Sequence, residues 1–539
     1  MLGSNRGSEP SAFSDANQAL SGFTGRCTVP WLISAKGTAL ARIQGITRNL
    51  VAFLTSTLLV AIVCPAAVAD TRSITPATMT PLGSVDERFQ SYNVEMVEVT
   101  GGRFWKPYGS NRSDAHSDLY EYRKPIDLTN ARLRRLARAL APAYLRVSGS
   151  WANATYFADT DTAPSAAPPG FDQLLSRQQW RGVVNFSQAV GAQIVTSFAV
   201  SPGARSTAGV WASDQALRLL AYTRRLGGSI AAAEFMNEPN FARAGTTGYG
   251  AAEYGRDFNL FYSFLKTNFS EILVLGPGTV GETADVSHLL AASAPDAIDA
   301  LSYHYYGKLS ERCGGANVTA AALSEQWLAG TEQTLNFYRG LRNQYAPGKP
   351  IWLTETAQAA CGGDRWAATF RDTFRYLDQL GRLARAGVQV VMHNTLAASD
   401  YGLLDENTFA PRPNYWGALL WRRLMGRTVL EAGMPAQTGF HVYAHCHYKV
   451  RGGVSLLIIN TSTNAPQRLM LSSSSNRYTL HAASLAARAL RLNGRKLKLD
   501  NTHQLPALKA IRGGAGILTF APATITFLAI PEAANSACR

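Results

Sequence analysis

Eight short runs of strand-forming residues alternate with helical patterns, and this alternation constrains the fold more than any other feature of the sequence. Strands that alternate with helices pair in parallel, and eight such units over about 300 residues match the size of a (β/α)8 barrel. The sequence therefore predicts an α/β protein whose (β/α)8 TIM barrel occupies residues 85–426. The predicted strands are Tyr92–Val97, Tyr144–Val147, Gln193–Phe198, Ala231–Met236, Ile272–Leu275, Ala300–Tyr305, Ile351–Thr354 and Val388–His393.

The helical patterns between these runs have an apolar face and a charged face. In Leu128–Leu140, for example, leucines recur near one side, whereas four arginines fall mostly elsewhere. Outer barrel helices carry charge opposite their apolar stripe, so we interpret these arginines as a solvated face; a contact with a polyanion is the alternative. The last barrel helix is predicted over Asn414–Met425.

The pattern changes after the barrel. From Arg427 onward the segments are short and often alternate apolar with polar residues, as in His441–His445 and Thr524–Ile530. Such segments are typical of antiparallel sheets. We therefore predict a C-terminal β-sandwich domain over residues 427–539, to which a strand within residues 74–84 is added.

Residues 1–69 form an N-terminal lead with the pattern of a signal peptide. Arg42 and Arg48 precede an apolar run at residues 50–63, and the small residues Ala67-Val68-Ala69 follow it. We predict cleavage after Ala69 and a secreted protein, extracellular or periplasmic, without stable membrane association. The alternative is an uncleaved membrane anchor, because the run is nearly long enough to span a bilayer.

The net charge is strongly positive. It is +15 for the whole chain, and it is +12 without residues 1–69, which hold five basic and two acidic residues. A positive surface attracts polyanions, and the alternative interpretation is that the charge serves only solubility. We expect no nucleic-acid partner, no cofactor and no metal, because the sequence has no nucleic-acid module, no phosphate-binding glycine loop and no convincing histidine spacing for a metal.

Four cysteines lie outside the lead, at Cys313, Cys361, Cys446 and Cys538. An even number in an exported chain indicates two disulfides. Four cysteines allow three connectivities, and spacing does not choose among them. Of the three, we favour Cys446–Cys538 together with Cys313–Cys361.

Two glutamates follow predicted strands of the barrel. Glu238 comes after the fourth strand and Glu355 after the seventh, and the C-terminal ends of the strands form the active-site face of this fold. Burying a carboxylate there is costly unless it is paired or catalytic. Three βα units separate them, so two carboxyls could flank one glycosidic bond at about 5 Å, the separation that predicts retention of configuration. We assign Glu238 as acid/base and Glu355 as nucleophile.

The motifs around these glutamates resemble those of a known family. Asn237-Glu238-Pro239-Asn240 and Trp352-Leu353-Thr354-Glu355-Thr356 look like the acid/base and nucleophile motifs of the heparanase family, glycoside hydrolase family 79. The similarity covers roughly residues 85–538. Further stretches resemble the family's first, second and sixth strands and the segment after its eighth: residues 89–95, 143–149, 303–306 and 401–407.

This resemblance implies a substrate with β-linked glucuronic acid and roles for several residues. Glu95 is expected to bind a sugar hydroxyl, Asn237 to hold the ring beside the cleavage point, and Ser150 to share that subsite. His304 and Tyr306 end the sixth strand and should face the barrel mouth, with Glu355 as the expected partner of His304.

The resemblance also implies a subsite for the carboxylate of the sugar. Gly362 and Gly363 would let backbone N–H groups approach that carboxylate, and Tyr401 would add a hydroxyl; an ordinary turn and simple packing are the alternatives. The sequence departs from the family at Cys361, where glycine is usual. The Asp159–Gly170 loop is short where the mammalian enzyme carries a long excised segment, so we expect one chain that works without internal processing.

The sequence as a whole predicts a secreted, monomeric, retaining β-glucuronidase. We favour endo action on acidic polysaccharides such as heparan sulfate. One alternative is an exo-β-glucuronidase acting on small glycosides or plant polysaccharides. The other is a non-catalytic polyanion-binding protein on the same scaffold, against which the two facing carboxylates argue, because they would repel an anionic ligand.

Overall fold

Eight parallel strands close into a barrel in the computed structural model, which describes residues 72–108, 119–242, 248–294, 296–434 and 438–539. The eighth strand pairs with the first and closes the ring. The predicted fold class is therefore confirmed, whereas the signal peptide predicted at residues 1–69 lies outside the described residues. The barrel strands are Gln90–Glu95, Ala143–Ser148, Ala192–Ser197, Ile230–Glu234, Leu273–Val280, Ala300–Tyr306, Ile351–Ala357 and Val390–His393.

The fifth strand extends further than the sequence predicted. Ile272–Leu275 was expected, but the strand continues to Val280 through Gly276, Pro277 and Gly278. The register against the sixth strand shifts between Pro277 and Thr279. Proline and glycine are accepted inside a strand at such an irregularity, so residues typical of turns did not end this one.

One long helix follows each barrel strand and covers the barrel from outside. The first shows how such a helix begins, because the Asn130 side chain accepts hydrogen bonds from the N–H groups of Arg132 and Leu133. It is shorter than the predicted Leu128–Leu140. The helices are Ala131–Arg138, Arg177–Val190, Asp214–Arg225, Ala251–Asn268, Ala284–Ala292, Gly330–Tyr345, Phe370–Arg385 and Pro413–Leu424. Shorter α-helices are Met96–Thr100, Pro239–Ala242 and Glu325–Leu328.

The barrel interior has an apolar layer beneath a charged one. Tyr144 and Trp352 pack with aliphatic residues of other strands in a buried cluster. Two residues further along the second strand, where the side chain returns to the same face, lies Arg146. The apolar layer therefore closes the barrel below the side chains at its C-terminal end.

The C-terminal strands form two sheets that pack on each other. Val454–Asn460 is buried along its whole length, with Leu456 and Ile458 in the core between the sheets and Leu457 and Ile459 in the core shared with the barrel. The three-stranded sheet consists of Ser73–Ile74, Gln467–Leu471 and Gly516–Phe520. The larger sheet consists of Pro81–Ser84, Met425–Leu430, Phe440–His447, Val454–Asn460, Ser475–His481, Arg491–Leu492, Arg495–Lys496, Ile511–Gly513 and Thr524–Ile530.

Both disulfides have the pairing favoured from the sequence. Cys446–Cys538 ties a strand of the larger sheet to the C-terminal segment, and Cys313–Cys361 links the loops after the sixth and seventh barrel strands. Two small sheets, Gly102–Trp105 with Tyr120–Arg123 and Thr155–Ala158 with Gln173–Ser176, follow the first and second barrel strands. Within the described part of the chain, no helix combines the length and apolar character needed to cross a membrane.

Candidate active site

The two glutamates chosen from the sequence face each other at the C-terminal end of the barrel. A carboxylate oxygen of Glu238 lies within 4.8 Å of one of Glu355. Glu238 has a positive φ of 47°, and its N–H donates to the Gly278 carbonyl. A non-glycine residue in this conformation is strained, and such strain persists where the surrounding structure holds it. The fold thus fixes the position of Glu238 opposite Glu355.

Arg146, to which the sequence analysis assigned no role, lies at the centre of the site. It is fully buried, and its guanidinium group contacts Glu234 and Glu355 at 2.8 Å each and donates to Asn237 Oδ1 at 2.8 Å. Although burial opposes it, Arg146 lowers the pKa of Glu234. A charge inside an apolar strand must be paired to be tolerated, and this was the signal in the sequence that could have identified Arg146 and Glu234.

Both carboxylate oxygens of Glu355 accept hydrogen bonds from positioned donors. The Tyr306 hydroxyl donates to Oε1 at 2.6 Å, and Arg146 donates to Oε2 at 2.8 Å. Hydrogen bonds to a carboxylate stabilise its charged form. These two donors therefore fix the Glu355 carboxyl group in one orientation.

Glu238 has a different environment. Its burial raises the pKa of the carboxyl group, and the charge of Glu355 adds to this, whereas a hydrogen bond with His304 opposes it. The side chain is 17% exposed, compared with 8% for Glu355. A carboxyl group that retains its proton and reaches solvent can act as a general acid.

His304 was expected to contact Glu355, but it lies closer to Glu238. His304 Nδ1 lies 2.9 Å from Glu238 Oε1 and 3.9 Å from Glu355 Oε2. The hydrogen-bond partner of His304 is therefore Glu238. Its role in the site is to orient Glu238 and not Glu355.

Asn237 and Ser150 lie together beside the two glutamates. Asn237 Nδ2 is 3.4 Å from Ser150 Oγ, and Ser150 is exposed at the barrel mouth. Asn153 holds the backbone of Asn237 from both sides, since its Oδ1 accepts from the Asn237 N–H at 2.8 Å and its Nδ2 donates to the Asn237 carbonyl at 2.9 Å. Asn153 is a third residue to which the sequence analysis assigned no role.

Glu95 ends the first strand and is buried in the same region. Its Oε2 has no hydrogen-bond partner among the described residues, and a Cβ added at Gly149 would fall 1.5 Å from this oxygen. Burial, followed by the charge of Glu355, raises the pKa of Glu95 well above its usual value. A buried carboxyl oxygen without a partner is costly, and a sugar hydroxyl would supply one.

The glycine loop and Tyr401 meet on the side of Glu355. Gly363 packs against Tyr401, whose hydroxyl accepts from Asn394 Nδ2 at 3.3 Å. Asn394 also donates to the Tyr306 hydroxyl at 3.0 Å. These contacts connect the loop to Glu355 through Tyr306, so the residues predicted for a carboxylate subsite and for the cleavage point lie in one network.

One group of acidic and histidine side chains in the described ranges could hold a metal ion, namely Glu238, His304 and Glu355. The Arg146 guanidinium group already contacts Glu355 and lies 3.2 Å from His304 Nε2. A metal cation at this position would face a fixed positive charge at short range, which is unfavourable. These three side chains are therefore poorly suited to bind a metal cation.

The family model and the sequence relatives point to one family, and the solved structures share the fold. A family model described as glycosyl hydrolase family 79, N-terminal domain, matches residues 124–381. Heparanase of Gallus gallus is 31% identical over 401 residues, which cover 68% of this chain and 75% of that protein. Hyaluronoglucuronidase of Hirudo nipponia is 26% identical over 462 residues, covering 77% and 92%. A solved 4-O-α-L-rhamnosyl-β-D-glucuronidase of Fusarium oxysporum 12S shares the fold with a TM-score of 0.63 at 15% identity, covering 85% of this chain and 99% of that chain.

Proposed function

We propose, because the chain belongs to glycosyl hydrolase family 79, that it is a secreted retaining β-glucuronidase that cleaves within acidic polysaccharides such as heparan sulfate. The observation that carries the proposal is the approach of a Glu238 oxygen to within 4.8 Å of a Glu355 oxygen. Retaining glycosidases have carboxyl groups about 5 Å apart, whereas inverting enzymes need room for a water between them and separate the groups by about 6.5–9.5 Å.

The reaction follows from the two environments. Glu355, oriented by Arg146 and Tyr306, attacks the anomeric carbon while Glu238 donates its proton to the leaving oxygen. This gives a covalent glycosyl-enzyme and releases the rest of the chain. Glu238, now ionised, takes a proton from a water molecule that displaces Glu355, and the proton returns Glu238 to its starting state.

Preference for a glucuronide rests on the side chains around the cleavage point. Tyr401 and the N–H groups of Gly362 and Gly363 are donors suited to a sugar carboxylate, and the unpartnered oxygen of Glu95 is suited to a hydroxyl. The names of the relatives, heparanase and hyaluronoglucuronidase, support a glycosidase that acts on a glucuronide-containing polysaccharide. The net charge of +12 that remains without residues 1–69 would favour encounter with an acidic polysaccharide.

Secretion is supported by the disulfides. Cys313–Cys361 and Cys446–Cys538 form and persist in oxidising compartments, in agreement with the signal peptide expected at residues 1–69. Mass determination of the mature N-terminus of the exported protein tests this: a start at Asp70 is expected, and a chain retaining the apolar run would favour the membrane-anchored form.

The substrate is tested by incubating the protein with heparan sulfate and, separately, with a chromogenic β-glucuronide. Size-exclusion analysis of the heparan sulfate digest should show internal fragments of decreasing size. Release of the chromophore with no shortening of the polysaccharide would favour exo action on small glycosides. Activity on neither substrate would contradict the proposal.

The stereochemistry and the two roles are tested on the small glycoside. Proton NMR of the first product should show the β-anomer of glucuronic acid, and an α-anomer would refute retention. Glu355→Gln and Glu238→Gln should each lower kcat, the second by about 10²–10⁴-fold for a leaving group that needs protonation. Azide should restore part of the rate to Glu238→Ala by replacing the water, which gives the β-glycosyl azide, whereas azide that replaces the missing carboxylate in Glu355→Ala should give the α-glycosyl azide.

A further inference from the structure

The loop after the sixth barrel strand is joined to the glycine loop after the seventh by several independent contacts. The Cys313–Cys361 disulfide links them covalently. Leu309 and Ala360 form a parallel bridge, in which the Ala360 N–H donates to the Lys308 carbonyl at 3.0 Å. The two loops therefore move together as one unit at the barrel mouth.

The loop after the sixth strand also donates hydrogen bonds to a backbone carbonyl of the glycine loop. Ser310 Oγ and Arg312 Nη2 donate to the Gly363 carbonyl at 3.0 and 3.2 Å. Lys308 Nζ pairs with the buried Asp364 carboxylate at 2.7 Å. The backbone carbonyl and the acidic residue that follow Cys361 are thus satisfied by groups from the sixth-strand loop.

The N–H side of the glycine loop has no hydrogen-bond acceptor in the part of the chain that the structure describes. Gly362 and Gly363 are buried, and within the described residues neither N–H group donates a hydrogen bond. Buried N–H groups without partners are rare in native proteins, so this side of the loop is available to a ligand acceptor. The adjacent Tyr401 packs on Gly363, and its hydroxyl accepts a hydrogen bond from Asn394, which also donates to Tyr306 beside Glu355.

Cys361 adopts a conformation that its side chain disfavours. Its φ is +60°, followed by +80° at Gly362 and +85° at Gly363. A left-handed residue other than glycine persists only where neighbouring contacts over-determine it. The bond to Cys313 and the bridge at Ala360 supply such contacts on both sides of the position.

We propose that the Cys313–Cys361 cross-link is a specificity-determining device that positions the Gly362 and Gly363 N–H groups for the carboxylate of the sugar. Cys313 and Cys361 are then positioning residues, acting through the glycine loop and not on the reacting atoms. This inference rests on the proposed function, because it assumes that the ligand of the glycine loop is the glucuronate carboxylate.

The test compares a 4-nitrophenyl β-glucuronide with the matching β-glucoside, which lacks the carboxylate. In the double variant Cys313→Ser/Cys361→Ser, KM for the glucuronide should rise about tenfold, the cost of one misplaced charge-assisted hydrogen bond. The kcat/KM value for the glucoside should change less than about twofold, because that substrate does not use the loop. The selectivity between the two glycosides should therefore fall.

The matched control is Cys446→Ser/Cys538→Ser, which removes the other disulfide. This variant should lose thermal stability and keep the selectivity of the parent enzyme. A second variant, Ser310→Ala, removes one donor to Gly363 and leaves both disulfides in place. It should lower selectivity in the same direction by about two- to fivefold, and it keeps the inference falsifiable if the double variant does not fold.

The outcomes separate the two proposals. A parent enzyme that hydrolyses neither glycoside would overturn the proposed function and this inference with it. A parent enzyme that prefers the glucuronide, combined with unchanged selectivity in the folded Cys313→Ser/Cys361→Ser variant or in Ser310→Ala, would overturn the inference alone. An equal fall in kcat/KM for both glycosides would also overturn it, because a general structural role predicts that result.

Discussion

Replacing Arg146 by methionine tests whether its guanidinium group keeps the buried carboxylates of the site charged. The side chain is fully buried and contacts Glu234 and Glu355 at 2.8 Å each. Removing one partner of a buried ion pair costs about 3–5 kcal/mol, because the other partner stays buried without compensation. We expect a loss of this size in the free energy of unfolding of Arg146→Met at pH 7.5.

The expected loss depends on pH with a definite sign. Although burial opposes it, Arg146 lowers the pKa of Glu234 in the parent protein, so this carboxylate adds stability above its unfolded pKa of about 4.3, and that contribution is lost as the pH falls through the folded pKa. In the variant this lowering by Arg146 is lost, so burial raises the pKa of Glu234 against only the Thr354 hydrogen bond and the interaction with His304. The difference in the free energy of unfolding between variant and parent should therefore shrink as the pH falls from about 7.5 to about 5. The change should be about 1.4 kcal/mol per pH unit for each proton that the folded variant takes up.

Urea unfolding followed by tryptophan fluorescence at three pH values between these limits measures the effect. Arg146→Lys is the matched control, because it keeps a positive charge but cannot reach two carboxylates with a planar fork. It should lose less stability than the methionine variant and show a weaker dependence on pH. A loss for Arg146→Met that is the same across the range would refute the charge-balance argument.

Three further predictions concern other groups. Tyr306→Phe removes a charge-assisted hydrogen bond to Glu355 and should lower kcat/KM on a chromogenic β-glucuronide about 10- to 100-fold; an unchanged value would contradict the assigned contact. Although burial opposes it, Asp378 raises the pKa of His441 to about 9, so His441→Gln should lose about 3 kcal/mol below pH 6.5 and converge on the parent as the pH rises through 9, checked by thermal unfolding across this range. The Asp159–Gly170 loop should remain intact in active enzyme, as electrophoresis after export would show, and activity that appears only after cleavage there would contradict this.

Much of the fold could be predicted because it is determined by the periodicity of apolar residues and by the spacing of strands and helices along the chain. Each predicted barrel strand overlaps an observed one, since alternation of strand and helix leaves few arrangements for parallel pairing. The fifth strand was predicted too short because Gly276-Pro277-Gly278 is typical of a turn, and only the register shift against the next strand shows how those residues are accommodated. Such an irregularity depends on the neighbouring strand and leaves no local signal.

The site was predictable to the extent that strand ends determine it. Glu238 and Glu355 follow from their positions after the fourth and seventh strands, whereas the partner of His304 was assigned to Glu355 although its hydrogen bond goes to Glu238. Position along a strand places a side chain at the barrel mouth, but the direction in which a ring turns is decided by its contacts. Arg146 was missed because its strand was interpreted from the apolar residues around it. The single charged residue within that strand was given no explanation.

The proposed division of roles between the glutamates depends on residues outside both motifs. Glu238 and Glu355 are the same residue type at equivalent strand ends, so the motifs alone give no reason for one to hold a proton and the other a charge. The two environments differ because Arg146 and Tyr306 donate to Glu355, whereas among the described residues the more exposed Glu238 side chain hydrogen-bonds His304, and burial raises its pKa. A chain with both motifs but an apolar residue in place of Arg146 should therefore lose the fixed orientation of Glu355, and with it the proposed activity, before it loses the fold.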